Sequence, residues 1–243
     1  MKIVAAVQAR MGSTRLPNKA MAFVGEWPMV YRTVYQVAAA QGVDQVVLSI
    51  PDTTENDALA FLAQIVQIGC YRGAERDLLT RTLRTALRYE ADAVVRITAD
   101  CPLVDYAVIE EAVGLARAGY YYVSNVYPHR TFPAGIAVEV YTTELLKELD
   151  QEIEDPRYRE YFMVHFWENL GGRAISFIDW EEDLSGMRWT VDYPEDLEFV
   201  RRVYEELDPP ILMLDVLSLL KKHPEIAEIN AGIVTDPYHG LQK

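Results

Sequence analysis

The stretch Val7 to Lys19, VQARMGSTRLPNK, decides how this chain is read. It follows a largely apolar run, Lys2 to Val7, whose length and β-branched content suit a buried strand. It then sets Arg10, Arg15 and Lys19 around the small residues Gly12, Ser13 and Thr14. Small residues let backbone N–H groups approach an anion, and cationic side chains neutralise it. A loop of this kind after a first parallel strand lies on the edge where open α/β sheets bind ligands. The spacing is neither GxxxxGK[ST] nor GxGxxG, which excludes a Walker loop and a dinucleotide fingerprint. A basic surface loop would carry the same charges, and spacing alone leaves both readings open.

Beyond the loop, strand and helix alternate. Pro28 opens a helix to Ala40 with Val30, Val34 and Val37 on one stripe, and Gln45 to Ile50 is the next strand. A helix capped by Thr54 is expected to turn Ala58, Phe61, Leu62 and Ile65 inward. A brief strand at Cys70-Tyr71, a helix from Glu75 to Tyr89 and a strand from Ala93 to Ile97 follow. Asp105 then stands as an N-cap ahead of a helical stripe. This rhythm predicts βαβ units with right-handed crossovers. Tyr120 to Ser124 adds a strand. From His129 the rhythm breaks: Ile136 to Tyr141 has no assignable period, and Arg157 to Leu170 reads as one helix. Ala174 to Ile178 and Met187 to Val191 read as strands, and Pro194 starts a helix. The fold class expected is α/β, three-layer, with a mostly parallel central sheet and a small, partly antiparallel extension. One domain over 1–243 is expected, with the extension at 125–180 and a helical tail at 209–243; no element is assigned to Ala231–Lys243.

With 243 residues, half of them hydrophobic, the chain can bury a substantial core. A formal charge of −14 argues against a nucleic-acid partner. An acidic protein that binds a polyphosphate must build a positive pocket against its own field, commonly with a divalent ion. Cys70 and Cys101 lack zinc spacing and suit a reduced, cytoplasmic setting. Cys101 lies beside Asp100 with no histidine near in sequence, so packing explains it better than nucleophilic attack. His165 falls on an apolar face with Phe162 and Phe166, and His129, His223 and His239 lack ligand spacing. No apolar run of membrane-spanning length occurs, and no membrane partner is expected.

The ARMGSTRLPNK segment resembles the signature loop of the CMP-sugar synthetase-like cytidylyltransferases, nearest to their spore-coat polysaccharide branch with its QARxGSTRLPGK form. The resemblance continues through Tyr71-Arg72-Gly73, Val95 to Asp105 (VRITADCPLVD), Val123-Ser124-Asn125, Arg130 to Val140 (RTFPAGIAVEV) and Arg188 to Leu197 (RWTVDYPEDL). It implies the nucleotide-diphospho-sugar transferase fold and transfer of CMP from CTP to an acidic sugar, releasing pyrophosphate, in a homodimer. It implies catalytic roles for Arg10, Lys19 and Asp100, and nucleotide binding by Gln8, Gly12, Ser13, Arg15 and Arg72. Asp100 and Asp192, at strand ends, would hold Mg2+; turn or helix capping is the competing account of each. Arg96, within a buried strand, requires a partner. Asn125, Arg130 and Glu139 fall in the region matching the acceptor site, and an arginine there suits a carboxylate.

Asn18 replaces the loop's usual glycine, which a residue tolerant of left-handed backbone permits. Ala134 and Ala137 stand where aspartates are expected, and Tyr161 where histidine is usual. These departures fall in the acceptor half. A glycosyltransferase on the same fold and a non-catalytic nucleotide-binding relative therefore stay open. Without metal, Asp100 and Asp192 are expected to repel, so neutralising either should leave stability unaltered or raised.

Overall fold

The computed structural model describes residues 1–233. A seven-stranded sheet forms its centre, built from β1 (Ile3–Gln8), β4 (Gln45–Pro51), β5 (Gly69–Gly73), β6 (Ala93–Thr98), β7 (Tyr122–Ser124), β8 (Glu139–Thr142) and β9 (Ile175–Phe177). A two-residue antiparallel pair, β2 (Phe23–Val24) and β3 (Trp27–Pro28), stands apart from it. The helices are α1 (Met29–Ala38), α2 (Asp57–Ile65), α3 (Leu78–Arg88), α4 (Tyr106–Arg117), α5 (Thr143–Glu152), α6 (Pro156–Glu160), α7 (Phe162–Glu168), α8 (Pro194–Glu206), α9 (Met213–Lys222) and α10 (Pro224–Glu228). The expected mostly parallel, three-layer α/β class holds. Strand order is β5-β4-β1-β6-β8-β7-β9, and β8 alone runs against its neighbours.

β1 is buried on both faces, as its near-continuous apolar run requires of a central parallel strand. Ile3, Ala5 and Val7 pack into one core with α1, α4 and α8, while Val4 and Ala6 face a second core with α3, α5 and α7. The chain leaves β1 toward β4 and β5, then returns to β6 on the other side. Loops from β1 and β6 therefore diverge at the sheet's carboxyl edge and open a crevice between them.

Several local expectations change. On α2 the inward residues are Leu59, Leu62 and Ala63, whereas Phe61 and Ile65 are 63% and 56% exposed. The segment is apolar nearly all round, so helical spacing fits two stripes, and the 3-10 turn Thr54–Asn56 sets the phase. α3 starts at Leu78, later than Glu75, because Asp77 caps it by accepting from the Thr80 N–H at 2.8 Å. The helix expected over Arg157 to Leu170 is two, broken at Tyr161. The segment 187–191 does not join the sheet; through Arg188 it makes an isolated parallel bridge to Ala134. Its Trp189 N–H donates to Ala134 at 2.6 Å and its Val191 N–H to Asp100 at 2.8 Å, within loops. Gly135, at φ +113°, lies so close to Trp189 that a Cβ would come within 2.6 Å of its backbone. Asp105 caps α4, and its second oxygen accepts from the Met213 N–H at 2.7 Å, tying α9 to α4. Within the tail expected at 209–243, α9 and α10 form on either side of His223, and the stretch 234–243, with His239, lies outside the described residues.

Candidate active site

A cleft of about 330 Å³ opens between the β1 and β6 loops. Gln8, Arg10, Gly12, Ser13, Thr14, Arg15 and Lys19 line it from the first loop, and Thr98 and Asp100 from the second. Asp192 closes one side; Glu75 in the loop before α3, Leu78 and Arg81 on its first turn, and Glu160, Tyr161 and Met163 at the α6–α7 break line the rest.

The loop is braced from behind. Its Met11 N–H donates to Asn56 Oδ1 at 3.0 Å, and Asn18 takes the left-handed backbone, φ 58°, that a glycine would otherwise supply. The N–H groups of Gly12, Thr14 and Arg15 make no hydrogen bond among the described residues. Lys19, only 14% exposed, stands at the centre of the charges: its Nζ is 2.7 Å from Asp100 Oδ2, 2.8 Å from Asp192 Oδ1 and 2.8 Å from the Val191 carbonyl. Burial opposes ionisation of Asp100, but the Lys19 charge and hydrogen bond outweigh it and hold the carboxyl below its ordinary range. Burial likewise works against the Lys19 ammonium, and the two carboxylates more than reverse it.

Asp192 also meets Arg15 at 2.6 Å and Arg188 at 3.0 Å. Behind it, fully buried Asp196 accepts from Arg188 and Asn230 and from the backbone N–H groups of Asp192 and Tyr193. Asp192 is therefore held from both its backbone and its carboxylate. Among the described residues no group of three acidic, histidine or cysteine side chains meets as a metal cage. Two convergent carboxylates still fit a hard divalent cation, which takes one or two carboxylates and completes its shell with water and phosphate oxygens.

Four expected residues do not line the cleft. Arg72 does not line the cleft; it pairs with Asp52 at 2.9 Å and Asp57 at 2.8 Å and donates to the Thr53 carbonyl. The Thr53 hydroxyl accepts from Asn56, which holds the Met11 N–H, so Arg72 reaches the loop through two residues. Asn125 is buried with its amide spent on the Ile136 carbonyl and the Val138 N–H. Arg130 donates to the Ser185 carbonyl, away from the cleft. Glu139 lies beneath it, accepting from Arg96 at 2.5 Å and from the hydroxyls of Tyr122 and Tyr141. Arg96 finds its partner there; the partner's charge more than offsets the burial that disfavours its own. Arg96 also donates to Gln8, whose amide bonds Thr82. Sequence reading passed over Asn56, Glu75, Arg81 and Glu160, which no periodicity distinguishes from surface positions, and Asp196, visible only as an acid after a Tyr-Pro helix start.

The residues 4–206 match the family model described as cytidylyltransferase. The spore coat polysaccharide biosynthesis protein SpsF of Bacillus subtilis is 26% identical over 91% of this chain and 95% of its own. The structure of a cytidylyltransferase from Leptospira borgpetersenii superposes at TM-score 0.90 and 28% identity, covering 97% of this chain and 99% of that one. CMP:2-keto-3-deoxy-manno-octonic acid synthetase complexed with CTP shares the fold at TM-score 0.66 and 20% identity, over 85% of this chain and all of that one. A nucleotidyltransferase fold with a cationic loop facing two carboxylates is thereby placed in a family. This chain belongs to the cytidylyltransferases.

Proposed function

We propose that the cleft transfers CMP from CTP to an acidic sugar, assisted by Mg2+, in cytoplasmic synthesis of a surface polysaccharide. The observation that carries this reading is the meeting of Asp100 and Asp192 with Lys19 and Arg15 at the mouth of a loop with unused N–H groups. Those N–H groups, with Arg10, Arg15 and Lys19, would cradle the phosphates. The acceptor hydroxyl oxygen attacks the α-phosphorus, its proton passes to solvent, and the bond to the bridging oxygen of the leaving pyrophosphate breaks. Positioning and charge neutralisation carry most of such a reaction. Held by Asp100 and Asp192, Mg2+ would supply part of that neutralisation. Lys19 must release at least one carboxylate for this, and its flexible chain then reaches the phosphates. SpsF and the synthetase complexed with CTP support the polysaccharide setting and the nucleotide respectively.

A thermal-shift series with the four nucleoside triphosphates, with and without Mg2+, tests the nucleotide, since a ligand specific to the folded state raises its melting temperature. CTP with Mg2+ should give the largest shift, and pyrophosphate release with acidic sugars tests the transfer. CTP binding without release by any of them would return the chain to the non-catalytic nucleotide binders.

A further inference from the structure

The α3 side of the cleft holds a second cationic centre that the phosphate loop does not explain. Arg81, on the first turn of α3, is 5% exposed and lines the cleft. Its Nη1 donates to the carbonyls of Ala74 and Glu75. Its Nε is buried without a partner, and its Nη2 makes no hydrogen bond among the described residues. Arg10 lines the same cleft with no hydrogen bond or ion pair among them. Burial, then the charges of Arg10 and Arg96, push the Arg81 guanidinium down to about 10. Glu139 answers Arg96, whereas Arg81 and Arg10 keep unused donors and repel each other. An anion between them relieves both costs.

The surroundings select the anion. Glu75 and Glu160 line this side, with Leu78, Tyr161 and Met163. Two carboxylates would repel a triphosphate, yet they accept hydrogen bonds from hydroxyls, and apolar and aromatic faces suit the C–H surface of a sugar ring. The free Nε–Nη2 edge of Arg81 is a fork that matches one carboxylate. We propose that Arg81 binds the carboxylate of the acceptor and sets acid specificity, with Glu75 and Glu160 taking its hydroxyls. The proposal rests on the transferase reading above, and it moves the acceptor site from Asn125 and Arg130 to the α3 and α6–α7 wall.

The test compares binding of 2-keto-3-deoxy-manno-octonic acid with that of its methyl ester, by ligand-detected NMR. The parent should prefer the acid at least tenfold. Arg81→Gln should bring the two within twofold, leave CTP affinity within twofold of the parent, and unfold cooperatively. Arg81→Lys, which keeps the charge without the fork, should retain part of the preference. No saturable binding of the acid, no preference over the ester in the parent, or a preference that survives in folded Arg81→Gln would each overturn the proposal. So would a tenfold loss of CTP affinity without loss of acid preference, which would assign Arg81 to the triphosphate. The parent's preference is read without any variant. A parent that prefers the acid yet releases no pyrophosphate from CTP would refute the transferase reading and leave the subsite standing.

Discussion

Asp100 and Asp192 do not confront each other: one ammonium, Lys19 Nζ, lies 2.7 Å from the first and 2.8 Å from the second. The repulsion expected between them is thus already answered, and the expected sign of its removal reverses. Asp100→Asn should lower stability in metal-free urea unfolding by about 1.5–3 kcal/mol, the range for a lost hydrogen bond between charged groups. An unchanged midpoint would show that solvent screens the pair, as it does most surface ion pairs.

Lys19→Met removes the resident cation and leaves the carboxylates to a divalent ion. Mg2+ should then raise the melting temperature of the variant more than that of the parent, because no ammonium competes for the oxygens. Equal shifts would place the metal elsewhere.

The pH dependence has a definite sign. Burial disfavours the charged forms of Asp100 and Asp196, yet Lys19 for the first and Arg188 for the second bring both below their ordinary range. A depressed carboxyl contributes stability above its unfolded pKa, roughly 3.9, and loses it as pH falls through the lower folded value. Stability should therefore fall on the acid side of about pH 4, and Asp100→Asn should make that limb shallower. A limb of unchanged slope would remove Asp100 from the titrating set.

The parallel half of the fold was legible because β1, β4 and β6 are mostly apolar, interrupted in β4 by Ser49 and in β6 by Arg96, as buried central strands require. Where an element carries two apolar stripes, as α2 does, pattern could not choose which one is buried. The loop and the two aspartates were legible as residue types at strand ends. Arg72, Asn125 and Arg130 were misplaced for a different reason: arginine and asparagine also satisfy backbone carbonyls, and only the contacts reveal which they do. Arg81 carried no signal, since its isolation from partners is a property of the folded chain.

Cys101 should be inert. It is buried, and burial together with the neighbouring Asp100 pushes its thiol up to about 12, so almost no thiolate forms near neutrality. Ellman titration of the native protein should leave Cys101 unmodified until denaturant is added. Rapid native labelling at Cys101, located by mass spectrometry, would contradict the packing.

Asp196 is the strongest test of how the site is held. Its two oxygens accept from Arg188 Nε at 2.8 Å, Arg188 Nη2 at 3.0 Å, Asn230 at 2.9 Å, and the N–H groups of Asp192 and Tyr193 at 2.9 and 3.0 Å. Asp196→Asn exchanges one of those acceptors for a donor and takes the fully buried carboxylate away from Arg188, which keeps Asp192 at 3.0 Å. Removing one side of a buried ion pair costs about 3–5 kcal/mol, so urea unfolding should show a loss of that order. Asp192 depends on this residue for its backbone position, so the Mg2+-dependent part of the CTP thermal shift should shrink as well. Asp192→Asn separates the two effects. It keeps the Asp196 network, so it should lose the Mg2+-dependent shift while costing less stability than Asp196→Asn. Equal stability losses in the two variants would show that Asp196 carries no bracing role beyond the pair it makes with Arg188.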